Sequence, residues 1–553
     1  MNKKVCSFPI LFALLALLIG TCAVVFPASA QAAPTSTGSI TVSGTVASRY
    51  DAYQIFSANV VDGDSDAKIA TDLAWASDAV RDAALPVLHS AGMPNSQTTA
   101  QEAAEWLNTD SHLTSALSAQ LARSLQSSGA RPAALNAGTT AELPCGYWLI
   151  VADDDAIAQD EAGTAPIMAL VGGSAVTVKP KAATPKVKKH VLEDSTAAWQ
   201  KAADATVADD LYWRLSATVP AGLTAYDTYT VKFVDTMSAG LDPSKVAASM
   251  RVYVAAGADG GFDAVSCEGG SASSTPAKGW TDITSQCRVS VEGKAFTVRT
   301  GALIAALGGA DAFTAGARVV AVYNAPLNSA CNHGIAKGNP NEVYLRYPRS
   351  PFADQSGDAG FTRTPSDDAC AYTWDLALTK RGSDGDKPLA GAVLSIADDR
   401  GRTLAADGTW DAEGKATVTT GEDGRVTVSG VDSGKLEVRE LKAPKGYTAF
   451  EGTRSVTVKA EGLDVDQVAA AKPKLTITAE SPLRADSADG STGSLEASLI
   501  NTPTGTPPSI TTGGFMPSTG DMAMYAAAAA AVAGAALIVV ALLVKRGGGS
   551  HKE

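Results

Sequence analysis

The amino-acid sequence predicts a mainly β protein, with tandem β-sandwich domains, a helical insertion in the first domain and a transmembrane helix near the C-terminus. Short runs of alternating apolar and polar residues recur along most of the 553-residue chain, separated by turn-forming residues. Two segments near the N-terminus instead carry apolar residues at helical spacing. One long apolar segment lies close to the C-terminus. The length is too great for a single core and indicates several domains.

Both ends carry segments typical of export and membrane attachment. Residues 1–30 read as a signal peptide, with two early lysines, an apolar stretch and the small-residue cleavage site ASA. Residues 521–544 are apolar and long enough to span a bilayer. The tail at 545–553 begins with Lys-Arg, and basic residues that flank a span belong on the cytoplasmic side. The body of the protein is therefore expected outside the cell.

Residues 31–181 are expected to form a β domain with a helical insertion. Strand-like runs open and close this block, from "SITVSGTV" to "GYWLIVAD" and "SAVTVKPK". Between them lie "KIATDLAWASDAVRDAALPVL" (68–88) and "TTAQEAAEWLNTDSHLTSALSAQLARSLQ" (98–126). Both consist of good helix formers with apolar residues three and four positions apart, which predicts helices.

Two further β-sandwich domains are predicted after a lysine- and proline-bearing joint. Residues 182–365 hold six alternating runs, among them "LYWRLSATV", "YTVKFVDTM" and "ARVVAVYNAPL". Residues 366–505 hold seven more, separated by hairpin-type turns such as "GEDG" and "DSGK". Residues 506–520 form a linker rich in Pro, Gly and Thr that ends in the pentad MPSTG.

The composition limits the classes of function. The formal net charge is −13 and no basic segment dominates, so nucleic acid is not expected as a partner. The sequence has neither metal-ligand spacing nor a Ser–His–Asp set, so no cofactor, metal or enzymatic activity is expected. Five cysteines remain after signal-peptide removal. Cys267 with Cys287 and Cys331 with Cys370 are candidate disulfide pairs, leaving Cys145 over, although spacing does not fix connectivity.

The third block carries the most specific motifs. "LEVRELKAPKGY" (436–447) resembles the E-box of collagen-adhesin B-type domains, with Glu440 as its glutamate and Leu436 in place of the usual aromatic residue. "LALTKRGSDGDKPLAGAVLSI" resembles the family's first strand, with its lysine at Lys380. "SLEASLINTP" resembles the last strand, with its asparagine at Asn501. The resemblance implies an immunoglobulin-like fold of the collagen-adhesin type. It also implies a self-formed isopeptide bond between Lys380 and Asn501, assisted by Glu440.

These residue types suit that reaction. Burial lowers the pKa of a lysine, so more of the amine is neutral and nucleophilic. Burial also favours the protonated form of a carboxylic acid, whose proton can polarise a carboxamide and then assist the departure of ammonia. Folding holds the reacting groups together. By analogy with a disulfide, closing a loop of roughly 120 residues stabilises the fold by about 4–5 kcal/mol.

The middle block resembles the second domain of sortase-assembled pilins, but the match is incomplete. "PKVKKHV" places Lys189 at the family's reactive lysine, and "VKFVDTMSAGL" places Asp235 at its assisting acid. Where the family ends its closing strand in asparagine, "GNPNEVYLRYPRSP" has Arg349, which cannot serve as the acyl partner. The sequence therefore favours a Lys–Asp salt bridge over a crosslink in this domain. Asn339 and Asn341 are the alternative crosslink partners.

The end of the first block resembles the pilin motif W-x-x-x-V-x-V-Y-P-K, whose final lysine joins one subunit to the next. The matching stretch is "GGSAVTVKPK" (172–181), in which Gly172 and Lys179 replace the aromatic residues. The resemblance makes Lys181 the candidate intersubunit lysine. A basic linker between domains is the alternative interpretation, because several other lysines lie close by.

The pentad before the apolar segment resembles the sortase sorting signal L-P-x-T-G. It consists of Met516, Pro517, Ser518, Thr519 and Gly520, with methionine in place of leucine. The apolar span and basic tail complete the tripartite signal. The resemblance implies that a membrane-held transpeptidase cuts between Thr519 and Gly520 and holds Thr519 as a thioester, which an amine then resolves.

Together these resemblances imply the major subunit of a covalently polymerised pilus on a Gram-positive cell wall. Thr519 of one subunit would be joined to Lys181 of the next. The expected partners are a pilus-type (class C) sortase, a housekeeping sortase, identical subunits, minor pilins, peptidoglycan and host surface ligands. The expected location is the cell surface, with transient membrane attachment. A monomeric wall-anchored adhesin and a surface hydrolase are the alternatives.

Overall fold

The computed structural model describes residues 36–505, except positions 45, 65–66, 110–111, 159, 181–183, 222, 269–270, 310–311 and 313–314. The signal peptide, Lys181, the pentad at 516–520 and the predicted membrane span lie outside the described residues. Within the described ranges, no helix is long and apolar enough to cross a membrane. The described chain is mainly β, as predicted, and its strands fall into three successive groups of sheets.

The first group contains two sheets and three helices. Strand order is β5-β1-β8 in the smaller sheet and β3-β2-β6-β7 in the larger one, where β4 also pairs with β2. The elements are β1 (Thr37–Val42), β2 (Arg49–Asp62), β3 (Lys68–Trp75), α1 (Asp78–Ser90), α2 (Ala100–Asn108), α3 (Ser115–Ser127), β4 (Ala133–Asn136), β5 (Thr140–Pro144), β6 (Gly146–Ala152), β7 (Ile167–Val171) and β8 (Val176–Val178).

The helical insertion is confirmed, but the helix predicted over 68–88 is wrong in its first third. Residues 68–75 form β3, which pairs antiparallel with β2. Helix α1 begins only after Ser77, whose side chain accepts a hydrogen bond from the Val80 amide and so caps the helix. Pairing with β2 outweighs the helix propensity of this short stretch. The second predicted segment divides into α2 and α3, because Thr114 caps a new helix.

The middle group is a sandwich of two large sheets with a small hairpin. One sheet has the order β10-β9-β12-β20-β14-β17, and the other has β11-β23-β21-β13-β19-β18 with β22 beside β21. The elements are β9 (Lys186–Glu193), β10 (Ala198–Gln200), β11 (Ala202–Asp204), β12 (Tyr212–Val219), β13 (Lys232–Met237), α4 (Val246–Ser249), β14 (Arg251–Ala256), β15 (Val265–Glu268), β16 (Ser271–Pro276), β17 (Thr281–Asp282), β18 (Arg288–Glu292), β19 (Ala295–Arg299), α5 (Leu303–Ala306), β20 (Ala317–Asn324), β21 (Asn339–Pro348), β22 (Phe361–Arg363) and β23 (Asp367–Tyr372).

The third group is a second sandwich. Its sheets have the orders β29-β24-β35-β31, with β34 beside β35, and β27-β26-β25-β30-β32-β33, with β28 beside β25. The elements are β24 (Trp374–Gly382), β25 (Val393–Ala397), β26 (Thr403–Leu404), β27 (Trp410–Asp411), β28 (Val418–Thr419), β29 (Arg425–Val431), β30 (Gly434–Lys442), β31 (Tyr447–Thr448), β32 (Thr453–Glu461), β33 (Lys474–Ala479), β34 (Leu483–Asp489) and β35 (Ser494–Pro503). Sheet membership changes between Tyr372 and Trp374, so we refer to 36–180, 184–372 and 374–505 as the first, middle and third domains.

Charged contacts connect neighbouring domains. Arg123 of α3 lies 3.1 Å from Asp227 and donates to the Pro351 carbonyl oxygen, both in the middle domain. Arg402 of the third domain donates to both carboxylate oxygens of Asp209 in the middle domain, at 2.6 and 2.7 Å. A bidentate arginine–carboxylate pair fixes orientation as well as distance. These contacts restrict how adjacent domains bend against each other.

The predicted disulfides are wrong, because all five cysteines of the described chain are free thiols. The Cys287 thiol donates to the Ile283 carbonyl oxygen and packs against the middle-domain core. Cys267 lies instead on the hairpin strand β15. Cys370 is buried in the core of the third domain, whereas Cys331 packs against that of the middle domain. Within the described residues, neither predicted pair is therefore bonded.

Candidate functional site

Strand alternation buries three polar side chains in the core of the third domain. Along β24, inward positions follow every second residue from Trp374, which places Lys380 inside. The same alternation brings Glu440 inward on β30 and Asn501 inward on β35. Strands β24 and β35 are parallel neighbours, with Lys380 opposite Leu499 and Gly382 opposite Asn501. The first and last strands of the domain thus place a lysine and an asparagine together in an apolar core.

Glu440 contacts both of the other side chains. Its Oε1 lies 3.5 Å from Lys380 Nζ and accepts a 2.9 Å hydrogen bond from Asn501 Nδ2. Its Oε2 accepts a hydrogen bond of 3.1 Å from the Phe450 amide. Lys380 Nζ also donates to the Leu499 carbonyl oxygen at 3.2 Å. The Lys380 and Glu440 side chains are fully buried, and Asn501 Oδ1 has no hydrogen-bond partner within the described residues.

Burial changes the acid–base chemistry of the lysine. It lowers the pKa of Lys380 to about 8, although the neighbouring Glu440 carboxylate opposes the shift. A substantial fraction of the amine is therefore neutral near physiological pH and can act as a nucleophile. The unpartnered carboxamide oxygen is a feature that a purely structural site would avoid, since a buried polar atom without a partner destabilises the fold. The sequence predicted these three residues, and the structure brings them together.

The middle domain contains a second buried set. Alternation turns Lys189 inward on β9, Asp235 inward on β13 and Asn341 inward on β21. All three residues are completely buried. Tyr323 of β20 is buried among them. Four strands from two sheets therefore converge on one polar cluster inside the sandwich.

Tyr323 connects the members of the middle-domain set. Lys189 Nζ donates to Asp235 Oδ2 and lies 2.9 Å from the Tyr323 hydroxyl. That hydroxyl donates to Asp235 Oδ2 at 3.0 Å and accepts from Asn341 Nδ2 at 2.8 Å. Asp235 Oδ1 and Asn341 Oδ1 have no hydrogen-bond partner within the described ranges. The rings of Trp213 and Tyr323 each lie 5.5 Å from the ammonium group.

The electrostatics of this set parallel those of the third domain. Burial lowers the pKa of Lys189 to about 8, against the opposing effect of Asp235. Burial also raises the pKa of Asp235, although the Lys189 charge lowers it in part. Both shifts favour the neutral pair of amine and carboxylic acid. Lys189 is thus suited to act as a nucleophile, and Asp235 is suited to act as a proton donor.

Of the two alternative asparagines that the sequence offered, Asn341 rather than Asn339 joins this set. Arg349 follows β21 and donates to the Asp154 carbonyl oxygen of the first domain at 3.4 Å, so it does not occupy the partner position. Asn341 lies in the buried set instead, because β13 pairs with β21 in a register that sets Met237 opposite Asn341. Asn339 instead hydrogen-bonds to Asn332 and Ala371. Sequence reasoning missed Tyr323, for which the only signal was its place in the apolar run "ARVVAVYN".

The strand of the pilin-like motif lies on the smaller sheet of the first domain. Strand β8 pairs in parallel with β1, which buries Val178 and leaves Lys179 exposed. The buried Lys68 donates to the carbonyl oxygens of Gly172 and Ser174 and so fixes the turn before β8. The candidate Lys181 lies three residues beyond β8, outside the described residues.

Comparisons with known proteins find one family match, within the third domain, and one relative by sequence. Residues 375–472 match the SpaA family, a prealbumin-like fold domain. The chain is 30% identical over 143 residues to the trypsin-resistant surface T6 protein of Streptococcus pyogenes serotype M6. The alignment covers 24% of this chain and 24% of that protein, so it spans about a quarter of the relative.

Several solved major pilins have similar folds. The T6 backbone pilin of serotype M6 Streptococcus pyogenes is 17% identical, with a TM-score of 0.46 over 86% of this chain and 100% of that one. The major pilin SpaD of Corynebacterium diphtheriae is 14% identical, with a TM-score of 0.40 over the same shares. RrgB of Streptococcus pneumoniae is 14% identical, with a TM-score of 0.36 over 68% and 85%. Because these scores are below 0.5, the assignment rests on the sequence matches. Residues 375–472 thus match the SpaA prealbumin-like family model, and about a quarter of the chain is similar in sequence to the surface T6 protein.

Proposed function

We propose that this protein is the major structural subunit of a covalently polymerised pilus on a Gram-positive cell surface. It acts as a building block and a sortase substrate, not as an enzyme. The observation that carries the proposal is the pair of buried Lys–acid–Asn sets. In the third domain the set joins the first and last strands, and in the middle domain it joins the first strand, β9, to the late strand β21. Such sets suit a protein that has to withstand tension along its length.

In the third domain the proposed reaction joins Lys380 to Asn501. The neutral amine attacks Asn501 Cγ, so that the Nζ–Cγ bond forms and the Cγ–Nδ2 bond breaks. The carboxamide nitrogen leaves as ammonia. Glu440 touches both reacting groups, so in its protonated form it can polarise the carboxamide and then relay a proton from the amine to the leaving nitrogen. Folding itself supplies the orientation.

In the middle domain the corresponding bond would join Lys189 to Asn341. Asp235 is the acid next to the amine, and the Tyr323 hydroxyl bridges Asp235 and the carboxamide. The atom balance is the same, since one carboxamide nitrogen is released as ammonia for each bond formed. This assignment replaces the sequence-based preference for a simple salt bridge.

The two bonds would carry load that hydrogen bonds alone carry poorly. In the third domain, tension enters near Trp374 and leaves near Pro503, at the ends of the parallel neighbours β24 and β35. A covalent bond between these strands bypasses most of the residues between them. In the middle domain the Lys189–Asn341 bond would similarly bypass the segment from β10 to β20. The middle and third domains could then remain folded while the polymer is stretched.

The joints between subunits would lie outside the described residues. A sortase would cut between Thr519 and Gly520 and transfer Thr519 to Lys181 of the next subunit, and a housekeeping sortase would attach the last subunit to peptidoglycan. The support is the tripartite C-terminal signal and the position of Lys181 directly after β8.

A denaturing gel of cell-wall extracts tests the polymer. The wild-type protein should give a ladder of covalent multimers, and Lys181→Ala should reduce it to a monomer band. Lys179→Ala is the matched control, because it removes a neighbouring exposed lysine and should leave the ladder intact. A single band from the wild-type protein would contradict the proposal and favour a monomeric wall-anchored adhesin.

A further inference from the structure

The two buried sets differ in how the fold aligns the lysine with the asparagine. In the third domain, Lys380 and Asn501 lie on β24 and β35, which are direct neighbours in one sheet. Main-chain pairing between these strands therefore fixes where the two side chains meet. In the middle domain, Lys189 lies on β9 of one sheet and Asn341 lies on β21 of the other. Facing sheets are held together by side-chain packing, so this alignment depends on contacts other than main-chain pairing between the two strands.

Lys189 lies where β9 loses one of its neighbours. Strand β10 runs beside β9 only as far as Gln200, which is opposite Val191. The chain then crosses at Lys201 to the other sheet, where β11 begins. Within the described residues, the edge of β9 at Lys189 therefore has no strand beside it on the side away from β12. The Lys189 amide donates a 2.7 Å hydrogen bond to Asp367 Oδ2.

Asp367 belongs to a strand that neighbours the asparagine. Strand β23 pairs antiparallel with β21, in a register that sets Asp367 opposite Val343 and Ala369 opposite Asn341. Alternation along β23 puts Asp367 on the same face as Ala369, which belongs to the middle-domain core. One carboxylate thus connects the main chain at Lys189, in one sheet, to the strand beside Asn341 in the other sheet.

Lys201 holds this carboxylate in place. Its Nζ lies 2.5 Å from Asp367 Oδ2 and donates to the Asp368 carbonyl oxygen at 2.8 Å. The Lys201 carbonyl oxygen accepts a 2.9 Å hydrogen bond from the Cys370 amide. The side chains of the pair are 5% and 16% exposed. Because charge-assisted hydrogen bonds are roughly twice as strong as neutral ones, the ion pair restrains the position of Asp367.

We propose that Asp367, held by Lys201, is the positioning residue for the bond between Lys189 and Asn341. The inference rests on that proposed bond. Asp367 binds the main chain of Lys189, so it acts through the orientation of the lysine side chain. A displacement of about 1 Å can slow a reaction between positioned groups by about 10²-fold. The Lys201–Asp367 pair thus aligns the middle-domain groups, as pairing of β24 with β35 aligns those of the third domain.

The charges of the Lys201–Asp367 pair would affect the amine differently. Burial is the main reason that the pKa of Lys189 is lowered to about 8, and the Asp235 charge opposes this shift. To a smaller extent the Lys201 charge lowers the pKa further, whereas the Asp367 charge raises it. Through charge alone, removal of Asp367 would increase the neutral fraction of the amine and speed up bond formation. A positioning role predicts slower bond formation.

Two double variants of the full mature chain test the positioning role. Lys201→Gln with Asp367→Asn keeps a side-chain oxygen that can accept the hydrogen bond of the Lys189 amide, whereas Lys201→Gln with Asp367→Ala removes it. Both lack the two charges, so neither leaves an unpaired buried charge that would destabilise the fold. Mass spectrometry of the crosslinked peptide follows bond formation from the start of cell-free synthesis. The alanine variant should react at least about tenfold more slowly than the wild-type protein, and the asparagine variant should stay within about threefold of it.

Three controls accompany these rates. Asp368→Asn removes the next carboxylate along β23 and should leave the rate unchanged. The bond between Lys380 and Asn501 in the same molecules should form at one rate in all variants. Protease resistance of the middle domain, measured at the same times, should show that the alanine variant folds before it reacts.

Several results would overturn the positioning role and leave the proposed bond intact. These are equal rates in the two double variants, faster bond formation in the single variant Asp367→Ala than in the wild-type protein, or loss of protease resistance in the alanine double variant alone. If the middle domain of the wild-type protein forms no bond between Lys189 and Asn341, the proposed bond and the positioning role fail together.

Discussion

The buried sets of the middle and third domains differ in what connects the acid to the asparagine. In the third domain, Glu440 Oε1 contacts both Lys380 and Asn501. In the middle domain, Asp235 contacts Lys189 directly but reaches Asn341 only through the Tyr323 hydroxyl. The shorter aspartate side chain and the inserted tyrosine occur together. In the third domain one carboxylate thus contacts both the lysine and the asparagine, whereas in the middle domain a carboxylate and a hydroxyl share these contacts.

If both sets form the proposed bonds, the reaction requires a buried path for the proton and does not require one particular motif. Both lysines have a pKa lowered to about 8 by burial, and both asparagines have a buried carboxamide oxygen without a partner within the described residues. What varies is the number of groups through which the proton passes. Substitutions in each set can show whether the two sets react alike and whether the Tyr323 hydroxyl takes part in proton transfer.

The largest effect is expected from Lys380→Met. Methionine keeps an apolar stem of similar length, so the variant removes the bond with little change in packing. Losing the crosslink over a loop of roughly 120 residues should lower the unfolding free energy of the third domain by about 5 kcal/mol. Denaturant unfolding measures the loss. Lys387→Met, at an exposed lysine of the same domain, is the control, and equal losses in both variants would count against a crosslink.

A similar loss is expected in the middle domain from Asn341→Ala. The variant has no carboxamide for Lys189 to attack, so this domain should lose no ammonia, and its intact mass should show one ammonia less of deficit against its own sequence than the wild-type protein shows. Asn339→Ala is the matched control, since Asn339 lies two residues away and hydrogen-bonds elsewhere. If Asn339→Ala abolished the ammonia loss and Asn341→Ala did not, the assignment of the acyl partner would be wrong.

A smaller, kinetic effect is expected from Tyr323→Phe. The ring stays in the core, but the hydroxyl that bridges Asp235 and Asn341 is removed. General acid–base assistance contributes about 10²-fold or more, so bond formation in the middle domain should slow by about that factor. The third domain of the same molecule is an internal control. A time course of mass loss in newly synthesised protein, followed from the start of cell-free synthesis, should show the two domains diverging. Unchanged rates would remove Tyr323 from the path.

The smallest effect is the pH dependence of an uncrosslinkable third domain. In Asn501→Ala, folded Lys380 has a pKa near 8 against 10.5 for an ordinary lysine, so the folded state binds fewer protons between these values. The unfolding free energy should therefore rise from pH 8 to pH 10.5, by at most about 1.4 kcal/mol per pH unit. The double variant Lys380→Met with Asn501→Ala should lack this slope. A slope that persists would belong to other groups.

The third-domain site could be predicted from sequence because its three residues lie in local motifs on regularly alternating strands. Alternation along β24, β30 and β35 then fixes their inward orientation. The middle-domain site could not be fully predicted. Its asparagine depends on the register between β13 and β21, and Tyr323 belongs to a strand in the opposite sheet. Both depend on which strands lie next to each other in the folded protein and in which register, and local sequence patterns do not determine either.

The strand at 68–75 and the state of the cysteines also could not be predicted from the sequence, for related physical reasons. The strand at 68–75 has helix-forming residues but a partner in β2, and tertiary pairing decided the outcome. The cysteine pairs were close in sequence but lie in different environments of the fold.

The central claim is that both buried sets form covalent bonds. The most direct test is the intact mass of residues 31–505, produced as one chain and measured after denaturation. We expect a mass lower than that calculated from the amino-acid sequence by two molecules of ammonia. Lys380→Met and Asn341→Ala should each show a deficit of one ammonia against the mass calculated from its own sequence. A mass equal to that of the unmodified sequence would contradict it.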